Sequence, residues 1–167
     1  MTYLIDSDTL IRAKNDFYRF DTAPGFWECL EEAHKRGLVF SVAAVRRELT
    51  GEDRLAQWAK KMGSKFFLPP DSFVQTSLNK IADWVGAHPT YTEAAKQEFL
   101  GDTADFLLIG HAHAYGYGVV TFEKDQGQKH AIKIPTVCKH FSVKCVPLFA
   151  ITTELGLNLV QGSSKPN

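Results

Sequence analysis

The chain has 167 residues, enough for one domain with a real hydrophobic core, and its apolar and charged fractions, 44% and 23%, are those of an ordinary globular protein. A formal net charge of zero excludes bulk attraction to nucleic acid, so any such binding has to come from a local patch. The three scattered cysteines (Cys29, Cys138 and Cys145) exclude a disulfide framework. With no leader-like segment and no run near the roughly 18 apolar residues of a membrane span, the expectation is a soluble cytoplasmic protein with no membrane partner.

Tyr3-Leu4-Ile5 is a short apolar run closed by Asp6, and it reads as a strand. A helical stretch starts near Thr9 and enters a loop over 19–24. Residues 26–36 carry acids early and bases late, with Gly37 as a stop, which is a helix with both ends matched to its dipole. Leu38-Val39-Phe40 predicts a second buried strand, and Ser41 is placed to cap a helix carrying Val42, Val45, Glu48 and Leu49. A helix over about 53–62 puts Leu55, Trp58, Ala59 and Met62 on one face. Pro69-Pro70 end any regular element after Phe66-Phe67-Leu68. Helices follow over about 72–86 and 91–100, and then one over 104–115 capped by Asp102 or Thr103. Gly116 and Gly118 bracket entry to a strand at 119–121, and 123–129 is a polar loop. The remainder predicts a short helix near 136–141, a strand near 143–146 and a last helix at 148–155.

Strands alternating with helices argue for βαβ units and an α/β fold, in one domain over 1–157 with a polar, disordered tail at 158–167. In such a fold the crevice at the carboxyl ends of the strands binds ligands. Asp6 and Glu123 each close a β-like run, and Glu48 and Asp105 stand where the same fold could bring them nearby. Carboxylates crowded together repel one another unless a cation neutralises them, and hard divalent ions take such oxygen ligands. The acids therefore point to hydrolysis of phosphodiesters with a bound metal.

The pieces Tyr3-Leu4-Ile5-Asp6-Ser7, Val45-Arg46-Arg47-Glu48-Leu49, Ala104-Asp105-Phe106-Leu107-Leu108-Ile109 and Val119-Val120-Thr121-Phe122-Glu123 carry a family resemblance. In order and spacing the chain resembles a PIN-domain ribonuclease, the fold of VapC-type toxins of bacterial toxin–antitoxin pairs. Pro24-Gly25-Phe26-Trp27 and Lys133-Ile134-Pro135-Thr136-Val137-Cys138 are similar to signatures of a smaller branch of that family. The resemblance implies a PIN-like α/β fold, with a short parallel sheet of four or five strands and helices on both faces. It implies a metal-dependent endoribonuclease in which Asp6, Glu48, Asp105 and Glu123 are the catalytic acids and hold Mg²⁺ or Mn²⁺. It further implies RNA as substrate, a protein antitoxin as a candidate partner, and a homodimer as a candidate assembly.

Ser7 and Thr121, hydroxyls beside the first and last acids, could orient ligands or water from outside the metal's own ligand set. Many family members have Asp where Glu123 stands. Asp125 lies two residues on, so either acid could be the outer ligand, and Asp102 is a similar neighbour of Asp105. Taken singly, each acid has a plainer role as a turn, a cap or a solvated helix residue. Arg46, Arg47, Lys124 and Lys129 are the bases best placed for a phosphodiester backbone, in a stretch that also carries Lys133, Lys139 and Lys144. Phe17, Tyr18 and Phe122 could stack on bases or belong to the core.

Three other readings compete. Asp6-Ser7-Asp8-Thr9 brings to mind phosphatases of the haloacid-dehalogenase type, with Asp6 as nucleophile, but the threonine comes one residue early and the glycine is missing. Cys138, His140 and Cys145 do not match a zinc spacing, and His111 and His113 point to different helix faces. An inactive scaffold that binds RNA or protein without cutting is the third alternative, and the complete set of four acids argues against it.

Overall fold

The computed structural model describes residues 1–101, 103–125, 127 and 129–157, so the tail expected at 158–167 and the candidate acid Asp102 lie outside the described residues. Tyr3–Ile5 (β1), Val39–Val42 (β2), Phe67–Leu68 (β3), Gly118–Val120 (β4) and Cys145–Val146 (β5) form one five-stranded sheet in the order β3-β2-β1-β4-β5. Every neighbouring pair is parallel, in registers such as Leu4 opposite Phe40 and Val119. β1 and β4 are buried along their whole length, as strands covered on both faces must be, and their residues are accordingly apolar. The α/β class and the parallel sheet expected from the sequence are what the chain adopts, an arrangement consistent with a PIN-like fold.

Helices fill the connections: Ser7–Arg12 (α1), Pro24–Lys35 (α2), Ala43–Glu48 (α3), Arg54–Phe66 (α4), Ser72–Ala87 (α5), Glu93–Leu100 (α6), Ala104–Tyr115 (α7), Ile134–His140 (α8) and Leu148–Leu155 (α9). α7 is the central helix. It packs on β1, β2 and β4 and takes α5 along its outer side, which is why all of its residues from Phe106 to Ala112 are buried. α2 packs on β2 and α9. Strands β1 to β3 step one way across the sheet and β4 and β5 the other. Right-handed crossovers therefore place the two sets of connections on opposite faces.

The local chemistry explains most helix starts. Asp53, Asp71 and Thr92 cap α4, α5 and α6 by accepting backbone N–H bonds, and of the two expected caps for α7, Thr103 fills the role by accepting from Phe106 N–H. Gly116, at φ 66°, ends α7 in a left-handed conformation that costs a glycine nothing.

Some expected details differ. Ser41 is not a cap: β2 runs on through Val42, and the Ser41 hydroxyl donates to Ile5 O at 2.6 Å, tying β2 to β1. The helix expected to run on from Thr9 widens into a π-helical turn over Ala13–Phe17, and the one expected at 53–62 extends to Phe66 past a kink at Gly63. Phe67–Leu68 is a strand too short to announce itself beside two prolines.

Candidate functional site

The direction in which strands are added reverses at β1 and β4, which are neighbours in the sheet. At such a switch point the loops leaving adjacent strands diverge, and a crevice opens at their carboxyl ends. Asp6 leaves β1 at this point. Its N–H donates to Val120 O of β4 at 3.2 Å, and its side chain is only 3% exposed. Its Oδ1 accepts from Thr9 N–H at 2.7 Å, so the acid also caps α1. Thr121 leaves β4 equally buried; its side chain favours the charged form of Asp6, and its hydroxyl accepts from Glu123 N–H at 3.0 Å. One threonine thus links the first and last acids.

Glu48 ends α3, beyond the carboxyl end of β2, and its Oε2 accepts a hydrogen bond from the Ser7 hydroxyl. Asp105 is partly buried in the first turn of α7, held there by Thr103, whose hydroxyl also donates to Phe99 O at 2.8 Å. Burial pushes the Asp6 carboxyl up to about 6 against the bonds from Thr121 and Thr9, which favour its charged form. Burial pushes Asp105 further, to about 7, and the negative charges of Glu123, Asp6 and Glu48 add to it while Lys133 opposes. Asp105 therefore lies within the electrostatic reach of the other three acids.

Glu123 is held at both oxygens by consecutive residues. Lys133 Nζ stands 2.8 Å from Oε1, and Ile134 N–H donates to Oε2 at 2.9 Å. The bond to Glu123 keeps the Lys133 ammonium charged to a higher pH than usual. From the sequence these residues belong only to the 133–138 signature and a lysine-bearing stretch. Nothing in their spacing announces a grip on a residue ten positions earlier, because that contact exists only once the 123–133 loop has folded back.

Among the described residues, no three acids, histidines or cysteines converge as a ready-made set of metal ligands. Glu48 turns one oxygen to Ser7 and Glu123 commits both to the 133–134 backbone and side chain. The donor chemistry nonetheless suits a hard divalent ion: all four groups are carboxylates, and the raised Asp6 and Asp105 are the kind a cation relieves. Asp125 is exposed, and the Gly127 N–H and then Thr136 hold its carboxyl below the usual range.

Three hollows are lined by candidate acids or bases. Asp105 and Lys133 line the smallest, about 120 Å³, with Glu98 and Thr103. Lys124 lines one of about 440 Å³ with Phe122, Glu123, Pro135 and Lys139. Arg46 and Arg47 line the largest, about 640 Å³, with Pro69, Pro70 and Leu107. Lys129 is exposed on the 123–133 loop. Of the four acids, Asp105 lines the smallest of these hollows and Glu123 the middle one, while none lines the largest.

The other candidates separate from this site. Lys144 donates to Tyr3 Oη at 2.8 Å, at the opposite end of β1. His111 is buried with Leu107 O and Pro69 O as its partners, and His113 pairs with Ser77 at 2.9 Å. Tyr18 stacks on Phe26 at 4.2 Å, whereas Phe17 and Phe122 meet Phe149 in an aromatic cluster beside Glu123, with the Arg12 guanidinium 4.4 Å from the Phe122 centroid. Asp8, which an aspartyl phosphatase would turn to the crevice as its acid, is exposed and 4.0 Å from Arg12.

The chain is thus a parallel α/β sheet flanked by helices, with Asp6 leaving β1 at its switch point and Asp105 in the first turn of the central helix. The family model described as Domain of unknown function (DUF4411) matches residues 3–159, a span that includes all four acids, and the chain belongs to that family. No curated protein and no solved structure matches the chain. Among the described residues, no helix is long and apolar enough to cross a membrane.

Proposed function

We propose that the chain is a PIN-type ribonuclease that uses Mg²⁺ or Mn²⁺ to hydrolyse RNA phosphodiester bonds. The observation that carries this reading is the placement of Asp105, partly buried in the first turn of α7 and within electrostatic reach of three further acids. Structural ion networks also perturb carboxylates, but they do so by pairing with cations. Here the charges acting on Asp105 are mainly negative, which is an unfavourable arrangement unless a cation joins it.

Asp6 and Asp105 would hold the ion, with Glu48 joining through the oxygen that Ser7 does not engage. A divalent ion there supplies Lewis acidity toward the phosphate ester and the water that attacks it. Thr121 and Ser7 keep the Asp6 and Glu48 carboxylates in place from behind, the role that bonds to metal ligands commonly have. Lys124 lines a hollow with Glu123, and with Arg46, Arg47 and Lys129 it would supply the positive charge for neighbouring phosphates that a chain of zero net charge has to provide locally. A protein that covers the crevice would restrain such an enzyme, as antitoxins restrain toxins of this kind.

The test is cleavage of a mixed single-stranded RNA pool with Mn²⁺, with Mg²⁺ and with EDTA, beside an Asp6→Asn sample. Asparagine caps a helix as well as aspartate does, so the variant keeps its fold. Cutting that needs the metal and disappears in the variant is the expected result. Equal cutting by both proteins, or none by either, rejects the reading.

A further inference from the structure

We infer that Lys133 is the second cation of this centre: its ammonium occupies the place beside Glu123, so the crevice takes one divalent ion and Lys133 contacts the scissile phosphate. The inference rests on the metal-dependent reading above and goes beyond it by fixing the number of ions and adding a catalytic residue.

Glu123 is the acid in question. A two-ion centre needs carboxylates on both sides of a pair of ions about 4 Å apart. Both Glu123 oxygens are already engaged, one by Lys133 Nζ at 2.8 Å and the other by Ile134 N–H at 2.9 Å. The second bond comes from backbone, which cannot swing away as a side chain can. The two donors are adjacent residues at the start of α8, so the grip is built into the fold of one segment.

The pair is also shielded. The Lys133 and Glu123 side chains are 33% and 20% exposed, unlike the open surface pairs that contribute little. Lys133 shares with Asp105 the hollow of about 120 Å³. An ammonium has three N–H donors, and one of them goes to Glu123. The other two can donate to phosphate oxygens, which is the neutralising task a second ion performs elsewhere. Lysine suits this place because it is a compact point charge, and its bond to Glu123 keeps it protonated.

Counting bound Mn²⁺ tests the inference directly. Titration of the full-length protein is followed by the loss of the free-ion paramagnetic resonance signal. The wild type is expected to bind one ion per chain, Lys133→Met two, and Lys133→Met with Glu123→Gln one again. The single variant Glu123→Gln is expected to keep the wild-type count of one ion, whereas Asp105→Asn loses at least about tenfold in affinity. Two ions in the wild type would overturn the inference, and that count does not depend on any variant folding. One ion in Lys133→Met, or a Glu123→Gln protein as weak as Asp105→Asn, would overturn it too. These results would leave the metal-dependent reading standing, whereas a wild type that binds no Mn²⁺ would remove both.

Discussion

Ser7 and Glu48 are joined across 41 residues of sequence: the hydroxyl that opens α1 donates to the carboxylate that ends α3. The bond ties the exit of β1 to the exit of β2 and aims Glu48 at the crevice. Ser7→Ala is expected to leave stability within about 0.5 kcal/mol of the wild type and to weaken Mn²⁺ binding about tenfold. Calorimetric titration measures both proteins under one set of conditions, and unchanged affinity would mean that Glu48 needs no such support.

The metal-free protein should lose stability as the pH rises. Asp6 and Asp105 have carboxyls raised from 3.8 to about 6 and about 7, so over that range the native state keeps protons that the unfolded chain has released. Their contribution is fully present below 3.8 and gone above about 7. His111 runs the other way, because burial lowers its pKa and acid disfavours its native state. The difference between the wild type and Asp105→Asn isolates the Asp105 part. In EDTA, the stability of the wild type relative to the variant should fall by about 2 kcal/mol from pH 5 to pH 8, allowing for the partial exposure of Asp105. Urea unfolding at the two pH values measures this, and a rise would contradict the placement of Asp105.

Two glycines in helices should respond oppositely to alanine. At Gly110 in α7 an added Cβ would lie 2.3 Å from Leu78 Cδ2 and 2.8 Å from its Cγ, in the contact between α7 and α5. Gly110→Ala is expected to cost about 1–3 kcal/mol, since Leu78 is itself buried and has to shift. At Gly86 in α5 a Cβ meets nothing within 4 Å, and Gly86→Ala should be neutral or gain up to about 1 kcal/mol of helix propensity. Denaturant midpoints decide between them, and similar values for both variants would refute the packing of α5 on α7.

The basic rim should show itself in salt dependence. Lys124, next to Glu123 in the chain, and Lys129 are both exposed, so Lys124→Glu with Lys129→Glu should weaken binding of single-stranded RNA. It should also lower the slope of log affinity against log salt by about 1–2. Fluorescence anisotropy in EDTA reads this without cleavage. An unchanged slope would move the RNA path to the Arg46 and Arg47 side.

What the sequence made legible follows the range of the interactions involved. The runs ending in Asp6 and in Glu123 are local patterns, and β1 and β4 stand within a residue of where those patterns put them. The last helix, Leu148–Leu155, is likewise a local feature bounded by Pro147 and Gly156. Ser41 misleads because a serine after apolar residues resembles a cap, while its hydroxyl is spent on Ile5 O across the sheet. The different surroundings of Glu123 and Asp125 could not be read from their spacing: Thr121 and the 133–134 segment hold Glu123, while the Gly127 N–H holds Asp125 in its own turn. The grip of Lys133 is a tertiary contact with no sequence periodicity behind it.

The most direct measurement is the thermal unfolding of wild type and Asp105→Asn with and without Mn²⁺, at pH 5 and pH 8. If Asp6, Glu48 and Asp105 hold a cation, Mn²⁺ at 100 times its dissociation constant at pH 5, used at the same concentration at both pH values, stabilises the wild type by about 2.7 kcal/mol at pH 5. The gain should be larger at pH 8, where Asp6 and Asp105 have no protons to release. Asp105→Asn should gain little at either pH. A wild type that Mn²⁺ does not stabilise, or a variant stabilised equally, would contradict the assignment of these acids to a metal.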